Sequence, residues 1–103
     1  MTAVFQDVFG HRLHLPRARR QHILREHPEI SVYLKRLPAV FAAPNVVKRS
    51  RRDAHVYLYY RYEPELWGGK YLLGVAKIGR DSVVLTAYVT DRIKQGDMLW
   101  PKD

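Results

Sequence analysis

Four strand-like segments joined by short turns occupy residues 46–90, and they restrict the fold more than any other feature of the chain. The segments are Val46 to Ser50, His55 to Tyr62, Lys70 to Ile78 and Ser82 to Thr90, rich in Val, Leu, Tyr and Thr. Arg51-Arg52-Asp53-Ala54, Glu63 to Gly69 and Gly79-Arg80-Asp81 separate them. Connections this short make antiparallel neighbours, so a four-stranded antiparallel sheet is expected.

The residues before the sheet read differently. Val4-Phe5 and Val8-Phe9, then Gly10, then His11 to Leu15 predict an N-terminal β-hairpin. Pro16 suits the first turn of a helix that runs to about Glu26, with Ile23 and Leu24 on its apolar side. His22 projects away from that side, near Ala18 and Arg25. Pro28 disfavours a helical His27, which places His27 at a corner before a second helix. Glu29 complements the dipole of that helix. Ile30, Tyr33, Leu34, Leu37, Val40 and Phe41 then build one apolar stripe, with a kink expected at Pro38. The predicted class is α+β: a hairpin, two helices, and a sheet packed on the helices. Residues 1–103 are expected to form one domain. Asp91 to Asp103 reads as an irregular tail tied down by Leu99 and Trp100.

Alternation sorts the strands into two faces. Val56, Leu58, Tyr60, Leu72, Gly74, Ala76, Ile78, Leu85, Ala87 and Val89 are expected under the helices. Tyr57, Tyr59, Arg61, Tyr71, Leu73, Val75, Lys77, Thr86, Tyr88 and Thr90 are expected on an open face. Rings for base stacking and cations for phosphate suit that face to single-stranded nucleic acid. Equally, tyrosine and threonine are ordinary strand residues on a half-wet surface. Lys48-Arg49-Ser50-Arg51-Arg52 is a second basic cluster, readable as a phosphate contact or as a solvated hairpin tip.

Charge supports an anionic partner: eighteen Lys and Arg against ten Asp and Glu give a formal +8. Apolar residues make up 47% and charged residues 27% of the chain, which predicts folding rather than disorder. The absence of cysteine removes disulfides, thiolate metal sites and a cysteine nucleophile. No apolar run approaches the ~20 residues that span a bilayer, and the first residues lack a secretory pattern, so a cytoplasmic protein without a membrane partner is expected.

No cofactor or metal motif is present. His22 and His27 are five residues apart, not the four that bring two ligands to one helical face. His11 and His14 of the second hairpin strand point to opposite faces. Gly68-Gly69-Lys70 lacks the remainder of a phosphate loop. Metal-free RNA cleavage needs a base, an acid and a cation beside the phosphorane. Histidine suits the proton transfers. Lys77 or Arg61 would hold the phosphate, and Thr86 or Tyr88 would donate a hydrogen bond.

The run His22-Ile23, His27-Pro28-Glu29, an apolar helix, Pro44, a Tyr-rich strand, a strand ending in Lys77, and Thr86-Ala87-Tyr88 resembles phage-associated small nuclease-fold domains. These are grouped with barnase, EndoU, colicin-type tRNases and RelE-like toxins. The resemblance implies a metal-independent endoribonuclease, as in toxin–antitoxin systems, with RNA and an acidic antitoxin-like protein as partners. It implies catalytic roles for His22 or His27, Lys77, Thr86 and Tyr88, and phosphate binding by Arg61. The base-stacking candidates are Tyr57 and Tyr59, and the backbone candidates are Lys48, Arg49, Arg51 and Arg52. The other readings are a non-catalytic nucleic-acid-binding module and a protein-interaction domain. For the helix histidines to meet Lys77 and Thr86, either the first helix lies along a sheet edge, or the histidines are structural, or the alternation is shifted by one residue.

Overall fold

The computed structural model describes residues 2–66 and 68–102; Met1, Trp67 of the predicted 63–69 loop and Asp103 of the predicted tail lie outside the described residues. The hairpin is β1 (Thr2–Gln6) and β2 (Arg12–Pro16), and α1 (Arg17–Glu26) follows directly. A 3₁₀ stretch (Pro28–Arg36) leads into α2 (Leu37–Ala42). The remaining strands are β3 (Val46–Arg49), β4 (Val56–Glu63), β5 (Lys70–Lys77), β6 (Val83–Thr90) and β7 (Asp97–Trp100).

The class is α+β, with two α-helices among the described residues, but the sheet has seven strands rather than four, in the order β1-β2-β6-β5-β4-β3-β7. Two corrections account for the difference. The hairpin joins the sheet, because β2 meets β6 in parallel at His14 and Val83. The 91–103 segment is not irregular throughout, because β7 pairs antiparallel with β3. Among the described residues β2 and β6 share only that one pair, so the rest of β6 has no strand beyond it.

The hairpin turn is built around Asp7 and Gly10. Gly10 has φ +94°, a conformation that side chains beyond glycine rarely adopt. The Asp7 carboxylate accepts the N–H groups of Phe9 and His11 at 3.0 and 2.7 Å. It also meets His11 Nδ1 at 2.8 Å and the Tyr59 hydroxyl at 2.5 Å. Its side chain is wholly buried.

The second helical segment breaks between Arg36 and Leu37, ahead of the kink expected at Pro38. Proline lacks an N–H, so it sits in the first turn of α2, where no intrahelical bond is lost. The apolar stripe survives the change of helix type. Ile30, Leu37, Val40 and Phe41 are buried, and Tyr33 and Leu34 pack against them.

The main core lies between this helical layer and one sheet face. On that face Gly74 lets the Phe41 ring approach the backbone: a Cβ there would lie 2.6 Å from Phe41 Cε1 and Cζ. Phe41 cannot retreat, being fully buried between Phe5 and Tyr59 at ring separations of 5.5 and 5.0 Å. Gly74→Ala is expected to lower stability by about 1–3 kcal/mol through overpacking. Urea denaturation checks this against Gly79→Ala, whose Cβ meets nothing within 4 Å and which is expected to change stability by less than about 0.5 kcal/mol.

Candidate functional site

Pairing registers fix which side chains share the far face. Val46, Tyr60, Leu73 and Tyr88 form one row across the sheet; Lys48, Leu58, Val75 and Thr86 form the next. Val56, Lys77 and Val83 form a third row, and Tyr62 and Tyr71 meet beyond Tyr60. Leu58, Tyr60, Leu73 and Val75 make a second buried cluster, joined by Tyr71, Leu85, Tyr88 and Ile93.

The expected sides therefore hold for β5 and for Thr86 and Tyr88, but Leu73 and Val75 are buried there rather than open, and β4 is displaced by one residue. Tyr57 and Tyr59 lie under the helices and Leu58 and Tyr60 on the far side. Tyr59 is fully buried against Phe41 and Asp7, which removes it as a base-stacking ring. Tyr57 packs against Phe9 and His11. Leu85 also changes face, because a bulge opposite Val75 and Ala76 inserts one residue into β6. Of the rings on the far face Tyr60 is fully buried, and Tyr62, Tyr71 and Tyr88 are at least partly exposed, with Tyr62 and Tyr71 edge to face at 5.3 Å.

The helical layer reaches this face at His27. Because β6 has no strand partner beyond its start, α1 and the corner after it lie along that edge, and His27 turns past it. Its ring stacks on Tyr88, with centroids 4.8 Å apart and planes 24° from parallel. Glu29 Oε2 lies 3.8 Å from His27 Nδ1. Lys94 Nζ stands 5.9 Å from the centre of the same Tyr88 ring. The Lys94 backbone N–H donates to the Tyr60 hydroxyl at 3.0 Å, which fastens residues 91–96 across the face.

Of the other catalytic candidates, Thr86 is two residues from Tyr88, one row away. Lys77 is four residues beyond Leu73, the cross-strand partner of Tyr88, or roughly 13 Å along the strand. Its ammonium pairs with Asp53 at 3.3 Å. The His55 N–H and then Lys77 hold the Asp53 carboxyl below its ordinary range. His22 pairs with Glu26 at 2.8 Å on the outer side of α1 and does not join the cluster.

Arg61 is likewise engaged elsewhere. It donates to the carbonyl of Ala43, which ends α2, at 2.6 Å and lies 3.7 Å from Glu63, which also pairs with Arg36. Arg49 pairs with Asp97 at 3.1 Å. Lys48, Arg51 and Arg52 have no acidic partner among the described residues. Neither Lys94 nor Glu29 stands out as a site residue in the sequence. Glu29 reads only as a helix-dipole residue, and Lys94 sits in a stretch without periodicity, where Ile93 is the sole apolar signal. Among the described residues no three His, Asp or Glu side chains converge as a metal site, and no helix is long and apolar enough to cross a membrane.

Burial raises the Tyr59 phenol well above its ordinary value, aided by Asp7. Burial also raises that of Tyr60, against the opposing bond from Lys94. An acid with a raised folded-state pKa contributes stability that is complete below its unfolded value and lost as pH climbs through the folded one. Stability is therefore expected to fall as pH rises above the ordinary phenol value of about 10. Urea midpoints should decline less steeply in Tyr60→Phe; superimposable slopes would contradict the burial of this hydroxyl.

Searches against family models, curated proteins and solved structures return no match to this chain.

Proposed function

We propose that this protein is a metal-independent endoribonuclease that takes single-stranded RNA on the far face of its sheet. The supporting observation is the convergence of His27, Tyr88 and Lys94 from three separate elements. A histidine to take a proton, a phenol to give one and a cation beside the phosphate are the parts that the reaction requires, and the Tyr88 ring adds a surface on which a base can stack. In this reading the His27 imidazole takes the proton of a 2′-hydroxyl. The 2′-oxygen bonds to phosphorus, the bond to the 5′-oxygen breaks, and that oxygen takes a proton from the Tyr88 hydroxyl. The products are a 2′,3′-cyclic phosphate and a 5′-hydroxyl end. Lys94 faces the charge that develops on the phosphorane, and Thr86 is near enough in the sheet to donate to a non-bridging oxygen. An acidic protein laid on this face would silence it, as the resemblance to the toxin group implies.

The test is incubation of the protein with tRNA and mRNA in EDTA, with product ends mapped. Cyclic-phosphate ends that disappear in His27→Ala support the reading, and intact RNA opposes it. A second reading, binding without cleavage, is favoured by the stacking of His27 itself, since a ring held flat on Tyr88 also serves as part of a platform for bases. It predicts intact RNA and affinity that falls steeply with salt.

A further inference from the structure

A groove of about 400 Å3 adjoins the Tyr88 patch, lined by Ser50, Arg51, Arg52, Leu58, Lys94 and Gln95. Three of these side chains are cationic and none is acidic. Arg51, Arg52 and Lys94 form no salt bridge among the described residues, so no carboxylate neutralises the groove. The groove is also organised. Arg51 Nη1 donates to Gln95 Oε1 at 3.3 Å, and the Arg52 N–H donates to Ser50 Oγ at 3.2 Å, which shapes the tip. Lys94 belongs to both places, lining the groove while its ammonium stands over the Tyr88 ring. Leu58, on the groove floor, is two strands from Tyr88's strand, roughly 10 Å away. That offset is too long for the phosphate of the nucleotide stacked on Tyr88 and suits that of a neighbour along the strand.

We infer that this groove is a phosphate subsite for a nucleotide flanking the one held at His27 and Tyr88, so that the ligand is an unpaired oligonucleotide rather than a mononucleotide. The inference rests on the reading of the Tyr88 patch as the RNA site, but it does not require cleavage. Lys94 spans the two positions, and Arg51 and Arg52 supply the charge that a longer strand meets and a single nucleotide does not.

Fluorescence polarisation of a labelled deoxyuridylate hexamer, which lacks the 2′-hydroxyl that cleavage needs, with uridine monophosphate as competitor, tests this on the intact protein. Arg51→Gln/Arg52→Gln is expected to weaken hexamer binding about tenfold or more and leave the monophosphate's inhibition constant unchanged. The slope of log affinity against log salt should fall by about 0.7 for each phosphate that the variant no longer neutralises. Equal hexamer affinity and equal salt slope in wild type and double variant overturn the subsite, while weaker binding by Tyr88→Ala in the same assay leaves the RNA site standing. Failure of both probes to bind overturns both. Polyglutamate that binds as tightly as the hexamer, and loses as much in the double variant, also overturns the subsite and marks the groove as a surface for an acidic protein.

Discussion

Replacing Asp7 with alanine is expected to remove about 3 kcal/mol or more of folding stability. Four donors converge on this carboxylate: two backbone N–H groups, the His11 ring and the Tyr59 hydroxyl. Asp7 and Tyr59 are both buried, so water cannot replace the missing acceptor without entering the core. A buried donor without a partner costs about 1–3 kcal/mol, and the Tyr59 hydroxyl is fully buried while the other three donors are partly so. Since domains of this size are held by roughly 5–15 kcal/mol, the loss is a large fraction of the total. It should appear as a drop in melting temperature of roughly 10 °C or more. Tyr59→Phe removes one donor together with its need for a partner and should cost less. A melting temperature within a few degrees of wild type for Asp7→Ala would show that the turn does not depend on its carboxylate.

The second large effect concerns chemistry. If the far face cleaves RNA, His27→Ala should lower the rate constant of the chemical step about 100-fold or more, the scale of removing an acid–base group. Binding should change far less, because Tyr88 and Lys94 remain to hold the strand. Single-turnover cleavage beside polarisation of an uncleavable deoxy analogue separates the two. His22→Ala is the matched control: it removes another α1-region histidine whose partner is Glu26 and whose side chain does not join the far-face cluster. Equal losses in both variants, or a loss in binding alone, would take the catalytic role away from His27. The fold should tolerate the change, since the His27 side chain is 34% exposed.

The parts of the fold legible in the sequence are those with one wet side. The hairpin, α1 and the stripe from Ile30 to Phe41 each show an apolar face against a polar one, and each is found with its apolar face inward. β4 is different. Tyr59 and Tyr60 are adjacent and both fully buried, one under Phe41 and the other under residues 91–96. A strand covered on both sides carries no period-two contrast, so Val-Tyr-Leu-Tyr-Tyr gives no means of choosing a register. The β6 bulge hides Leu85 for a related reason, because one extra residue resets the alternation midway. β7 escapes notice because it is a short edge strand. It depends on Gly96, where any Cβ would strike the carbonyl of Arg49. The site follows the same logic. His27 and Tyr88 stand out by residue type, but Lys94 is brought to them only by a bond to Tyr60 that no pattern announces.

The single residue pair between β2 and β6 has an energetic consequence. It ties together positions roughly 70 residues apart, and closing a loop of that length costs about 4 kcal/mol in chain entropy. One ladder position nets about 1 kcal/mol, too little to hold the junction shut. Leu13, Leu15, Ile23 and Val84 all enter the main core around it, and each buried aliphatic side chain contributes about 1.5–3 kcal/mol. Hydrocarbon, not backbone pairing, closes this seam. The edge that lets His27 past the sheet therefore rests on greasy packing several residues away from it.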